Sequence, residues 1–305
     1  MAPRLVETAA DCREALQRAR AAGSTVGLVP TMGALHAGHV SLMVRARAEC
    51  DTVAVSIFVN PLQFGDPEDM AHYPRTLEWD LAVCAKAGVD IVFVPSVTEM
   101  YPGWPAPVPT TVSVGGVSQW WEGASRPGHF DGVATVVTKL FSIAGPCRAY
   151  FGEKDYQQLA VVRQMVADLS LPVTVIGCPI VREPDGLALS SRNVRLSPQE
   201  RRAAVVLSRA LTLGRSLLEQ GAGHAPLVSE AMRRAVEAEP LVHLDYAVAV
   251  GAYDLVAREV IEDPADLRLL IAAEVGPVRL IDNCAGTVVA QAATRGPTRQ
   301  LERIG

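Results

Sequence analysis

Apolar runs that alternate with helical patterns predict an α/β protein, a Rossmann-like parallel sheet in an N-terminal domain followed by a smaller α+β C-terminal domain. Three observations carry this. Residues 25–29, 52–59 and 90–95 are each dense in β-branched side chains, as strands buried on both faces are. Amphipathic segments at 40–50 and 77–87 lie between them and supply crossover helices. After Asn193 the alternation stops and long helical patterns give way to short alternating strands.

Taken in order, the next segment is YPGWPAPVP at 101–109, too rich in proline for a helix or a central strand, and it reads as a loop. A helix over 132–143, a strand over 148–151, a helix over 156–168 and a strand over 173–176 continue the scheme, for a sheet of at least five strands. Ser197-Pro198-Gln199-Glu200 then gives a serine N-cap, a proline at the first helical position and a glutamate three residues on. One long helix is expected from there to about residue 220, stopped by Gly221-Ala222-Gly223, and a second to about 238. Segments 244–250, 267–275 and 278–282 read as a small antiparallel sheet. The domains are therefore expected at 1–183 and 184–305, with a frayed or disordered tail from 293.

Composition narrows the function. With 305 residues, 49% of them hydrophobic, the chain has ample material for a core. No apolar stretch has the length of a membrane helix, and MAPRLVETAADCREAL lacks the apolar centre of a signal peptide, so a cytoplasmic location is expected. The six cysteines are dispersed, with no Cys-x-x-Cys, which points away from a zinc site or a disulfide framework. A formal charge of −5 gives no overall basic field, which argues against a nucleic-acid partner and still allows a local cationic pocket.

Three stretches concentrate chemistry. PTMGALHAGH, at 30–39, follows a strand and opens a helix, so the helix N-terminus and its dipole face the carboxyl edge of the sheet. There Gly33 and Gly38 would let phosphate oxygens approach the backbone, and His36 and His39 would aim imidazole N–H groups at the same anion. Two histidines in a polar loop fit the same four-residue pattern. FGEKDYQQ, at 151–158, sets Lys154 at a strand-to-helix junction within reach of a phosphate, although Glu153, Lys154 and Asp155 also fit a solvated turn. LALSSRN, at 187–193, groups Ser190, Ser191 and Arg192 as phosphate donors or as a polar hinge. Three phosphate-competent segments together favour a nucleotide site.

Together with VSIFVNPLQFG, YPRT, RPGHFDGVATVV and REPDGLALSSRN, and more weakly RLLIAAEVGPVRLIDN, these stretches resemble the pantoate–β-alanine ligase (pantothenate synthetase) family of the nucleotidylyltransferase superfamily, in order and spacing from residue 26 to about 193. The resemblance implies a homodimeric cytoplasmic enzyme that makes pantothenate from pantoate, β-alanine and ATP, releasing AMP and pyrophosphate through a pantoyl adenylate, with Mg²⁺ whose ligands stay unassigned. It implies a first ATP segment of Met32, Gly33, Ala34, Leu35, His36, Ala37, Gly38 and His39, with His39 as proton donor and His36 as its partner on the phosphates. A second comprises Gly152, Glu153, Lys154 and Asp155. Val181 would touch adenine through its backbone, and Leu189, Ser190, Ser191 and Arg192 would close the set, with Leu189 where many members have methionine. Gln63 and Gln158 are implied to hold pantoate. His39, His36, Lys154 and Arg192 form the catalytic set, while the roles of Tyr73, Arg126 and His129 stay open and Trp120-Trp121 reads as packing or a dimer feature. A transferase acting on a phosphorylated acceptor would need a cationic pocket in place of the two glutamines, and a non-catalytic relative would have lost His39, Lys154 or Arg192.

Overall fold

The computed structural model describes residues 2–65 and 67–287, and the chain divides into two units, Met1–Pro179 and Ile180–Gly305. The first unit runs β1 (Arg4–Val6), α1 (Ala9–Ala21), β2 (Val26–Thr31), α2 (Ala37–Glu49), β3 (Thr52–Ile57), α3 (Pro67–Ala71), α4 (Leu77–Lys86) and β4 (Ile91–Phe93). It continues through α5 (Val97–Met100), α6 (Glu122–Ser125), α7 (His129–Ala144), β5 (Cys147–Gly152), α8 (Tyr156–Asp168) and β6 (Val173–Cys178). Its strands pair in the order β1-β4-β3-β2-β5-β6, every neighbour parallel. Residues 26–29 of β2 and 53–57 of β3 are buried, which is why those runs lack polar alternation. Helices α1, α7 and α8 pack side by side, and α2 packs on α4.

β1 and α1 have no counterpart in the sequence reading. The strand is three residues long, sits at the sheet edge and leaves Arg4 and Leu5 exposed. The helix buries only Cys12, Ala15 and Leu16, too little apolar bulk to register as a stripe.

The strand order places the site. From β2 the chain steps outward through β3 to β4, then returns to lay β5 against the other side of β2. Ligands of open parallel sheets bind at the carboxyl ends of the two strands flanking such a reversal. Those ends are Thr31 and Gly152.

The second unit contains α9 (Pro198–Ala203), α10 (Val206–Glu219), α11 (Ala225–Glu237), β7 (Val242–Gly251), β8 (Leu267–Val275) and β9 (Val278–Ala285), with the strands antiparallel in the order β7-β8-β9. It has its own core, which includes Leu207, Leu211, Met232 and Leu269. The helix start read at Ser197 is a capping box: Ser197 Oγ accepts the Glu200 N–H and Glu200 Oε2 accepts the Ser197 N–H. The single helix expected to residue 220 is two helices. At Ala204 and Val205 the chain turns inward, with the Leu207 N–H on the Ala204 carbonyl at 3.2 Å, and both residues are buried in the core. The units part between Pro179 and Ile180, so Val181 stands with Leu189 in the second unit. The tail read from 293 lies outside the described residues. Among those described, no helix is long and apolar enough to cross a membrane. All six cysteines are free thiols.

Candidate active site

After β2 the chain loops through residues 32–35 and enters α2 at Ala37, with His36 as N-cap. His36 Nδ1 accepts the Gly38 N–H at 3.1 Å, and His39 Nδ1 accepts the His36 N–H at 3.3 Å. The two rings thus cap the helix reciprocally, their centroids 4.1 Å apart. Because each Nδ1 serves as an acceptor, the proton of each neutral ring resides on Nε2. Burial, reinforced by the charge of Lys154, lowers the His36 pKa to about 4. Burial, reinforced first by His36, lowers that of His39 to about 3. At neutral pH both rings are uncharged and carry their proton on Nε2.

The main chain of this loop is engaged internally. The Gly33 N–H bonds Thr31 Oγ1 at 3.2 Å, and the Ala34 and Leu35 N–H groups bond Asp80 Oδ2 and Oδ1 at 3.1 and 2.8 Å. A Cβ on Gly33 would lie 2.9 Å from Asp80 Oδ2, and one on Gly38 would lie 2.8 Å from the His36 ring. These glycines admit a carboxylate and an imidazole of the chain itself. In this structure the space beside each glycine is filled from within the chain, and the Gly33 and Gly38 N–H groups bond Thr31 Oγ1 and the His36 ring.

β5 pairs with β2 and ends at Gly152. A single turn, Glu153–Asp155, follows before α8. Lys154 is largely buried, its Nζ 3.5 Å from Asp155 Oδ1. Its charge and that of Asp155 act on both histidines, so the two segments meet at the carboxyl ends of neighbouring strands. Gln158 lies in the first turn of α8.

Gln63 follows β3 in a short turn, Pro61–Gln63, capped by Asn60. Its amide is fixed from both ends: Oε1 accepts from Asn60 Nδ2 at 3.0 Å, and Nε2 donates to Met32 Sδ at 3.2 Å. Tyr101 donates its hydroxyl to Asn60 Oδ1 at 2.8 Å and so sets the Asn60 amide. The Gln63 carbonyl lies 2.9 Å from His129 Nδ1 and accepts from Arg126 at 3.4 Å. His129 and Arg126 therefore brace the Gln63 main chain, and Tyr73 stacks edge-on against Phe64. Gly132 of α7 permits this turn, since a Cβ there would lie 2.3 Å from the Leu62 carbonyl oxygen.

In the second unit a bridge pairs Arg182 with Ala188, and the Leu189 N–H bonds the Val181 carbonyl at 3.0 Å. Val181 and Leu189 thus stand side by side. Ser190 caps the turn Ser191–Arg195, its Oγ accepting the Arg192 N–H at 3.2 Å. A bidentate pair, Arg182 with the buried Asp282, anchors the hairpin to β9.

The family model described as pantoate-beta-alanine ligase matches residues 4–285. The chain belongs to this family. It is 52% identical to a pantothenate synthetase of Rubrobacter xylanophilus over 92% of this chain and 98% of that one. It is also similar to the crystal structure of the pantothenate synthetase from Thermus thermophilus, with a TM-score of 0.86, 50% identity and coverage of 93% and 99%. A third similar structure is the pantoate-beta-alanine ligase of Francisella tularensis, complexed with beta-gamma ATP and beta-alanine, with a TM-score of 0.74, 33% identity and coverage of 93% and 98%. The activity is thus that of the family, an ATP-dependent ligase joining pantoate to β-alanine.

Within this ligase, motif reading missed Asn60, Tyr101 and Asp80. Asn60 had a signal, an asparagine before a proline that caps a turn. Asp80 had one too, an acid on the face of α4 that also buries Val83 and Cys84. Of the paired tryptophans, Trp120 is 52% exposed, and its carbonyl accepts from the buried Gln157 at 2.7 Å.

Proposed function

We propose that this ligase adenylates pantoate and then transfers the pantoyl group to β-alanine, with the residues named above in the following roles. The observation that carries the reading is that the His36–His39 pair follows β2 and Lys154 follows its parallel neighbour β5, near enough for the lysine charge to act on both rings. In the first half-reaction a pantoate carboxylate oxygen bonds to the α-phosphorus of ATP, and pyrophosphate leaves with the electron pair of the broken P–O bond. His36, His39, Lys154 and Arg192 stabilise the charge that gathers on the phosphoryl oxygens. In the second, the β-alanine amine attacks the acyl carbon, loses a proton and expels AMP. The segments from Met32 to His39 and from Gly152 to Asp155, with Val181 and Leu189 to Arg192, hold ATP. Gln63 and Gln158 hold pantoate, because neutral amides bind it without neutralising the carboxylate that must attack.

Among the described residues no group of three His, Cys, Asp or Glu is arranged to hold a metal ion. Mg²⁺ is accordingly read as arriving on the ATP phosphates, where it would offset their charge. The ATP and β-alanine bound in the Francisella ligase support both as ligands here. Residues 1–183 as the ATP- and pantoate-binding domain, residues 184–305 as its lid, a homodimer and a cytoplasmic location rest on the family resemblance.

Pyrophosphate exchange tests the order of steps. Protein given ATP, Mg²⁺ and pantoate without β-alanine should exchange labelled pyrophosphate into ATP, and omitting pantoate should stop it. Pantothenate synthesis without exchange would overturn the adenylate route, and exchange that needs a phosphorylated acceptor would point to nucleotide transfer.

A further inference from the structure

We infer that Asp80 is a positioning residue for the histidine loop, reaching from α4 to hold residues 34 and 35 by their main-chain N–H groups and so setting where His36 and His39 stand. The inference rests on the reading of that loop as an ATP segment.

The Asp80 side chain is buried, at 1% exposure for the residue. Its Oδ1 accepts from the Leu35 N–H at 2.8 Å and the Thr76 hydroxyl at 3.2 Å, and its Oδ2 accepts from the Ala34 N–H at 3.1 Å. Among the described residues no cation pairs with it. The carboxylate is committed to the loop. Trp79, the residue before it, donates its indole N–H to the Leu35 carbonyl at 3.4 Å, so α4 grips Leu35 by both main-chain groups.

Ala34 explains why such a grip is needed. Its φ of 50° lies in the left-handed region, next to Gly33 at 85°. A non-glycine residue there costs energy and persists only where its surroundings over-determine it. Two bonds to one buried carboxylate do that. His36 follows directly, so a loop that relaxed would move the cap of α2 and both Nε2 donors with it. Asp80 hydrogen-bonds the loop at residues 34 and 35 and reaches Gln63 only through Met32, whose sulfur accepts from Gln63 Nε2, so its loss should fall much more on ATP than on pantoate.

Asp80→Asn keeps the size and replaces one acceptor with a donor that faces an N–H. Folded protein should show an ATP KM raised about tenfold or more, with the pantoate KM within about twofold of wild type. Ring ¹⁵N NMR should show the titrations of His36 and His39 moving up from about 4 and about 3 toward the ordinary histidine range. A folded variant with wild-type ATP KM and unmoved titrations overturns the inference. Equal rises in both KM values overturn it too, since they mark a general loss of structure. If Asp80→Asn does not fold, Trp79→Phe and Thr76→Val take its place: an ATP KM raised about two- to fivefold with pantoate unaffected supports the inference, and unchanged constants overturn it. His39→Ala separates the two readings. Normal turnover by that variant would sink the ATP reading of the loop, while the histidine titrations in Asp80→Asn would still decide whether Asp80 holds it.

Discussion

His36 and His39 each use one ring nitrogen to cap α2, the other being the one proposed to meet ATP, and only the neutral ring supports both. Protonation of Nδ1 would turn an acceptor into a donor facing a backbone N–H. The folded pKa values, about 4 and about 3, lie below the ordinary 6.5. Between those limits the unfolded chain binds protons that the folded chain does not, so stability rises with pH. The contribution is complete above about pH 6.5 and is lost as pH falls through that window. Urea midpoints measured from pH 4 to 7 should rise, and less steeply in a His36→Asn/His39→Asn variant; equal slopes would mean the rings titrate normally. By the same reasoning kcat/KM for ATP should carry no inflection near pH 6.5 from these rings. His39→Ala should lower kcat by about 10² to 10³ while leaving the fold intact, because it removes a donor acting on transition-state charge. A folded variant with near-normal turnover would take His39 out of that role. At this scale sequence motifs name His36, His39, Lys154 and Gln63. They do not name Asp80 or Tyr101, whose bonds span sequence separations of 45 and 41 residues; the acid on the buried face of α4 marks Asp80 as unusual without saying what it holds.

At the scale of elements, the turn that carries Gln63 rests on α7, and Gly132 is where they touch. Its absent Cβ would lie 2.3 Å from the Leu62 carbonyl oxygen and 2.6 Å from the Gln63 nitrogen. Gly132→Ala should therefore push the turn away, costing about 1–3 kcal/mol of stability as overpacking does and raising the pantoate KM more than that for ATP. An unchanged melting temperature and unchanged constants would show that the contact yields without effect. The central strands and the helices between them were legible because burial on both faces leaves an unbroken apolar run, as in β2 and β3. Two kinds of element were not. β1 is too short and too exposed to leave a run, and the break between α9 and α10 has no glycine or proline to announce it. That break answers to burial of Ala204 and Val205, a tertiary demand.

At the scale of the molecule, the residues proposed to hold ATP come from both units, Lys154 from the first and Arg192 from the second. A ligand at about 100 times its Kd adds about 2.7 kcal/mol to the state that binds it, so a non-hydrolysable ATP analogue should raise the melting temperature. Lys154→Ala and Arg192→Ala should each reduce that rise. A full rise in Arg192→Ala would remove the second unit's polar turn from ATP binding. The strand order has a further consequence for the chain as it is synthesised. The histidine loop emerges early, and α4, which supplies Asp80, follows well before β5 and Lys154. Domains fold as they leave the ribosome, N-terminal parts first. The loop's main-chain partners, Thr31, His36, His39 and Asp80, are thus all present before its cationic neighbour exists. A nascent chain interrupted after α4 already holds these main-chain partners of the loop, before β5, Lys154 or Arg192 has been made.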